Sequence, residues 1–199
     1  MVLRKNLKKK FALISVFDKK NLKYLCTNLN KFNYSFMSSG STGNKIRELG
    51  FSCEDISKLT NFKEMFGGRV KTLNPLIYSS LLYIRDNKIH KKQFKLLNMP
   101  EIDIVVVNLY PFKKYLKKNN NDQIIEMIDI GGPSLLRAAG KNFKYITPII
   151  DITDYKKLIK NLYKNNGTTD ISFRKKMALK VFKQTAEYDK IVSNWLNEK

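Results

Sequence analysis

Short apolar runs alternate with stretches of helical spacing along most of the chain. FALISVF (11–17) is apolar and β-branched and reads as a buried strand. DKKNLKYLCTNLNKF follows, with Leu22, Leu25 and Leu29 at helical spacing. NYSFMSSGSTGNKIRELG then runs strand, Gly/Ser/Thr turn, helix. The strongest strand pattern is IDIVVVNLYPF (102–112), whose Ile102, Ile104, Val105, Val106 and Val107 leave almost no polar face. Such a run suits a strand covered on both sides, as in a parallel sheet. YITPII (145–150) predicts another strand, which Pro148 weakens or moves toward an edge. KKNNND (117–122) reads as an exposed loop, and residues 171–196 as one long or broken helix. Strands alternating with helices predict an α/β fold: a doubly wound, mainly parallel sheet flanked by helices, with a helical C-terminal extension. We expect a single domain over 1–199, with its core at about 11–165 and the extension at about 171–196. In this architecture ligands bind outside the carboxyl ends of the strands.

Composition narrows the class. The basic start MVLRKNLKKK leads into an apolar run that Asp18 ends early and that lacks a small-residue cleavage site. It therefore reads as a lead-in to the first strand rather than a secretion signal. No apolar stretch approaches the roughly 20 residues of a membrane span, so a cytoplasmic protein with no membrane partner is expected. Cys26 and Cys53 make neither a disulfide framework nor a metal cluster. The net charge of +21 invites a polyanion-binding reading. However, 32 of the 38 basic residues are lysine and six are arginine, the better reader of bases and phosphates. Lysine, asparagine, isoleucine, phenylalanine and tyrosine are abundant together, which points to compositional drift over nucleic-acid binding.

Four polar segments fall at strand ends or turns. SVFDKK (15–20) closes the first strand and carries Ser15 and Lys19. SSGSTG (38–43) combines Gly40 and Gly43 with the hydroxyls of Ser39, Ser41 and Thr42 immediately before a helix. The free amides there could hold phosphate, with Lys19 adding charge; an ordinary Ser/Thr cap fits the same residues. GGRVKTLNP (67–75) places Arg69 and Lys71 two apart, pointing the same way if the segment is extended. That suits anion recognition, or equally two solvated cations. NLYPF (108–112) puts Asn108 and Tyr110 at the end of the central strand. Finally, IDIGGPSLLRAAGK (128–141) opens a helix with Pro133 at its first position and free amides around Ile130 and Gly131. Asp129 beside them is a proton acceptor, an orienting group or a dipole counter-charge. Lys141 stands about 12 Å further along a straight helix, so it reaches Asp129 only if the chain bends or if it takes another route, such as a subunit interface.

These segments together resemble the inosine-monophosphate cyclohydrolase domain of the bifunctional purine biosynthesis family. ALISVFDK, SSGSTG, TNFKEMFGGRVKTLNP, NLYPF, IDIGGPSLLRAAGKN and FKQTAEYD occur in the family's order, over residues 11–195. The resemblance implies a methylglyoxal-synthase-like α/β domain that closes the ring of 5-formamidoimidazole-4-carboxamide ribonucleotide to inosine monophosphate and water. It implies no metal and no organic cofactor, a phosphorylated purine-precursor ribonucleotide as ligand, and a homodimer. In that family the domain is joined to a transformylase, to which nothing in these residues corresponds; a separate transformylase partner is the other arrangement. By resemblance, Lys71, Tyr110, Asp129 and Lys141 take the catalytic positions. Ser15, Lys19, Ser39, Gly40, Thr42, Arg69, Thr72, Asn108, Ile130, Gly131 and Gly132 take the nucleotide-binding ones.

Some residues depart from the family pattern. Asn74 and Tyr78 stand where histidines are common, Phe17 replaces a common serine, and Phe143 follows Asn142 where histidine is usual. Two other activities suit the fold: a methylglyoxal-synthase-like lyase and a noncatalytic nucleotide sensor. The combination of KTLNP, NLYPF and IDIGG argues against the lyase. Retention of Lys71, Tyr110, Asp129 and Lys141 argues against pure sensing.

Overall fold

A computed structural model describes residues 10–116 and 120–197. The basic lead-in at 1–9 and residues 117–119 of the KKNNND segment lie outside the described residues. The elements run β1 (Lys10–Val16), α1 (Leu22–Lys31), β2 (Tyr34–Ser38), α2 (Gly40–Glu48), β3 (Cys53–Asp55) and α3 (Ile56–Thr60). A 3-10 turn at Phe66–Gly68 precedes α4 (Pro75–Leu82), α5 (Lys88–Leu96), β4 (Ile102–Asn108), α6 (Phe112–Tyr115) and α7 (Asn121–Glu126). The chain continues through α8 (Gly131–Lys141), β5 (Thr147–Ile149), a second 3-10 turn (Ile152–Asp154), α9 (Tyr155–Lys164) and α10 (Ile171–Asn197).

All five strands are parallel, in the order β3-β2-β1-β4-β5. Strand periodicity sorts the side chains of β1 and β4 to the two faces. Ala12, Ile14, Ile104 and Val106 join Leu22, Leu25, Leu29, Leu158 and Leu162 in one core layer, under α1 and α9. Leu13, Val105 and Val107 join Ile77, Leu81, Leu135 and Val181 in the other, under α4, α8 and α10. Burial on both faces explains why these strands read as apolar runs with little alternation. Pro148 sits in β5, whose only strand partner among the described residues is β4, so its missing N–H costs the sheet no bond on the outer side.

Three expectations need correction. The strand starting at Ile102 ends at Asn108, not Phe112, because Pro111 cannot continue a ladder and instead leads into the short α6. Residues 120–122 of the expected loop begin α7: the Asn120 side chain accepts from Gln123 N–H at 3.0 Å. Pro133 is the third residue of α8, not the first, since the helix starts at Gly131. Pro133 is tolerated there because first-turn amides have no intrahelical acceptor.

The C-terminal extension is a single 27-residue helix docked along the core, where Met177, Ala178, Val181, Thr185, Tyr188 and Trp195 are buried. Arg174 fixes its start by donating to the Phe143 and Lys144 carbonyls, each at 2.9 Å. Lys180 bridges Asp151 (3.0 Å) and the fully buried Asp154 (2.5 Å), which also receives Lys157 at 2.7 Å. A buried carboxylate deprived of a cation keeps its desolvation cost. Lys180→Met is therefore expected to lower unfolding stability by about 1–3 kcal/mol, read as a lower urea midpoint with an unchanged slope.

Candidate functional site

The strand order reverses direction at β1 and β4, so their carboxyl ends diverge into a crevice. Ser15 lies beside Val107, and Val16 beside Asn108, in the parallel register. Above these ends opens a cleft of about 680 Å³. Ser15, Lys19, Ser39, Arg69, Lys71, Thr72, Asn108, Tyr110, Asp129, Ile130, Gly131 and Gly132 all line it. Twelve of the fifteen expected site residues, from five separated segments, thus meet at one place. Gly40, Thr42 and Lys141 do not line it.

Thr42 requires reassignment. Its hydroxyl accepts from Val16 N–H at 3.1 Å and donates to Val16 C=O at 3.0 Å, and the side chain is buried. It therefore ties the end of β1 to α2 and has no proton free for a ligand. Asn108 is similarly committed. Its Oδ1 accepts from the N–H groups of Phe17 (2.7 Å) and Asp18 (3.0 Å), and its Nδ2 donates to Asp18 C=O at 2.8 Å. It shapes the cleft floor by holding the turn after β1. Ser39 precedes α2 without a side-chain capping bond, so its hydroxyl remains on the cleft wall beside the first amides of that helix.

Gly40 acts through what it lacks. Its φ is +52°, and a Cβ there would collide with the Lys71 ammonium. Lys71 thus lies against the N-terminus of α2, where the helix dipole is also positive. Two like-signed sources of potential at one point favour an anion there. Lys71 meets Glu64 Oε1 at 3.1 Å, while Arg69 forms a two-point pair with Glu126 at the exposed rim. Arg69 sits at φ −62° and ψ −28°, so the extended segment expected for 69–71 is a turn. Both cations still reach the cleft because the turn itself lies on its wall.

Asp129 is held from both sides of the crevice. Its Oδ1 accepts from Gly132 N–H at 2.8 Å, and the Tyr110 N–H also donates to the carboxylate. Burial raises its carboxyl above the ordinary aspartate range, and these two amides only partly reverse that. Burial, then the neighbouring Asp129 charge, raises the Tyr110 phenol as well. Asp129 therefore takes a first-turn amide of α8 while lining the cleft. A Cβ on Gly132 would collide with its carboxylate, which accounts for the glycine. The Tyr110 ring meets Phe17 edge-on, with centroids 5.0 Å apart.

Lys141 ends the 11-residue α8, about 15 Å of helix from the Asp129 end, and is exposed. Asn74 accepts from Leu76 N–H at 2.9 Å and caps α4 outside the cleft lining. Tyr78 packs on the core beneath. The sequence reading missed Glu126 and Phe17 as cleft residues and Glu64 as the partner of Lys71, since nothing local marks which acidic side chain a cation meets. Tyr188 stood inside the FKQTAEYD motif without a role.

Residues 21–134 match the family model of the MGS-like domain, over more than half of the chain. The chain belongs to the MGS-like domain family. Residues 139–199, which include α10, match the model described as the AICARFT/IMPCHase bienzyme. The bifunctional purine biosynthesis protein PurH of Persephonella marina is 44% identical over 189 residues, 94% of this chain and 36% of that protein. PurH of Caldicellulosiruptor saccharolyticus is 45% identical over 188 residues, again 94% of this chain and 36% of its own length. The chain thus spans about a third of the length of the curated relatives it matches. The crystal structure of ForH superposes with a TM-score of 0.84 at 27% identity, covering 94% of this chain and 97% of that one. Among the described residues, no helix is long and apolar enough to cross a membrane.

The two hydroxyl bonds of Thr42 yield a direct test. Thr42→Val conserves volume but removes the hydroxyl's bonds to the Val16 N–H and C=O. We expect a loss of about 1–3 kcal/mol in chemical unfolding, with ligand affinity of the folded protein close to wild type. A variant that keeps its stability but loses affinity would return Thr42 to the ligand.

Proposed function

We propose that this chain is an IMP cyclohydrolase that converts 5-formamidoimidazole-4-carboxamide ribonucleotide to inosine monophosphate and water. The observation that carries the reading is the convergence of Lys71, Tyr110 and Asp129, distant in sequence, on one cleft at the switch point. The similarity to PurH across 94% of the chain supports the same chemistry.

The substrate phosphate binds where Ser15, Ser39, Lys19 and the first amides of α2 meet. In the reaction, the carboxamide nitrogen attacks the formyl carbon, one C–N bond forms and the nitrogen loses a proton. Asp129, whose raised carboxyl makes it a stronger base than an exposed aspartate, accepts that proton with Tyr110 beside it. The formyl oxygen gains charge next to the Lys71 ammonium and the first amides of α8. The formamide nitrogen then loses its proton as a C=N bond forms to the same carbon, and the oxygen, having taken up two protons in all, breaks from carbon as water. No step calls for a metal or folate, and EDTA should leave the rate unchanged.

Lys141 enters by assembly. We read the protein as a cytoplasmic homodimer in which Lys141 serves a neighbour's cleft, working with a transformylase carried on a longer chain or on a separate one.

Incubating the purified chain with the formylated ribonucleotide and following inosine monophosphate by absorbance tests the activity. No product, with tight nucleotide binding retained, would leave a sensor. Lys71→Ala should cost about 10²-fold or more in turnover, whereas the exposed Lys92→Ala should stay near wild type. Equal rates for the two would remove Lys71 from the chemistry.

The pH profile has a defined sign. Asp129 must be ionised to accept a proton, and burial raises its carboxyl. Turnover should therefore fall on the acid side with an apparent pKa above the ordinary value of about 3.9. The dimer has a test of its own. Mixing inactive Lys71→Ala and Lys141→Ala chains should restore about a quarter of wild-type activity if sites are shared across a two-fold axis; none should return if both lysines serve the same chain's cleft.

A further inference from the structure

Tyr188 lies on α10, 59 residues from Asp129 in sequence, and does not line the cleft. It is 7% exposed, and its ring meets Phe112 edge-on at 6.1 Å within a small cluster with Ile124 and Trp195. Its hydroxyl accepts from Asp129 N–H at 2.7 Å and reaches Met127 C=O at 3.3 Å as donor. Both capacities of one buried hydroxyl are thus spent on a single loop. That loop, residues 127–130, links the end of α7 to the start of α8 and belongs to neither helix. Asp129 is consequently fixed twice: by Tyr188 at its backbone, and by the Gly132 and Tyr110 amides at its carboxylate.

We propose that Tyr188 is a positioning residue for the ring-closing reaction, holding the Asp129 backbone so that the carboxylate stays on the Gly132 and Tyr110 amides and faces the cleft. The inference rests on the cyclohydrolase reading above. Packing alone would require only the ring, which phenylalanine supplies. The hydroxyl has a separate role, because without it the Asp129 N–H and Met127 C=O are left unpaired in a half-buried loop. The loop must then shift to find other partners, and a displacement of about 1 Å at a reacting group can cost about 100-fold in rate. The direction of the electrostatic change also follows. The titratable groups coupled to Asp129 are Tyr110, from the turn after β4, and Tyr188 itself. The groups that lower its carboxyl are the Gly132 and Tyr110 amides. A carboxylate that slips off those amides keeps its burial and loses their compensation, so its titration moves upward.

The test compares wild type, Tyr188→Phe and Asp129→Asn. Ring-closure kinetics are measured on the formylated ribonucleotide. In parallel, ¹³C NMR follows the aspartate carboxyl titrations without ligand, and Asp129→Asn assigns the Asp129 resonance. For Tyr188→Phe we expect turnover to fall about 10- to 100-fold, KM to stay within about twofold, and both the acid limb and the Asp129 titration to move to higher pH. A tyrosine that serves only packing would leave turnover, the acid limb and the Asp129 titration in place in Tyr188→Phe. Wild-type turnover and an unmoved Asp129 titration in Tyr188→Phe would overturn the proposal. A wild-type protein that forms no product, while the Asp129 titration still moves in Tyr188→Phe, would overturn the cyclohydrolase reading and uphold the hold of Tyr188 on Asp129. The titration reports on that hold whether or not the reaction occurs.

Discussion

Everything at the cleft depends on how the carboxyl end of β1 is finished. A parallel strand that ends at a crevice leaves backbone N–H and C=O groups with no next strand to pair them, and unpaired groups away from water are costly. Here Thr42 takes both groups of Val16, while Asn108, from the neighbouring strand, takes the amides of Phe17 and Asp18 and the carbonyl of Asp18. Two side chains thereby weld β1, α2 and β4 at the switch point. The crevice stays open because its edges are satisfied by side chains rather than by further secondary structure. Residues that a family motif would assign to the ligand can thus serve the frame on which the ligand groups stand.

The second constraint is electrostatic. The chain is strongly basic, yet the cations of the cleft are arranged selectively. Lys71 meets Glu64, Arg69 meets Glu126, and Lys71 lies against the positive end of α2. A cation at a helix N-terminus is unfavourable unless a negative group comes between them. Glu64 supplies part of that charge within the chain, and a phosphorylated ligand would supply more. The departures from the family pattern fit around this arrangement without entering it. Asn74 caps a helix, Tyr78 packs on the core, and Phe17 braces the ring of Tyr110.

The long helix α10 links these parts. Arg174 and Lys180 pin its first half to the end of α8 and to the turn after β5, and Tyr188 and Trp195 carry it across α6 and α7. It buries apolar surface along one side and touches the loop of Asp129 through one hydroxyl. A helix that reads as an appendage in sequence is a structural support of the candidate site.

The sequence by itself determined the architecture, because burial on both faces leaves a signature in apolar runs such as Ile102–Val107 and in the helical spacing of Leu22, Leu25 and Leu29. It also determined which segments gather, since glycine, proline and hydroxyl residues cluster where strands end. It did not contain the short edge strand Cys53–Asp55, whose three residues are too few to carry a period, nor the helical start at Asn121, which a polar run conceals. The tertiary structure alone decided which polar groups remain free. Thr42 and Asn108 are legible in the sequence as hydrogen-bonding side chains at strand ends, but their partners are backbone atoms 26 and about 90 positions away, and no local pattern encodes those. The same reason hid Glu64 opposite Lys71 and Tyr188 behind Asp129. A hydrogen bond is set by distance and direction in space, whereas periodicity records only which side of an element faces the core.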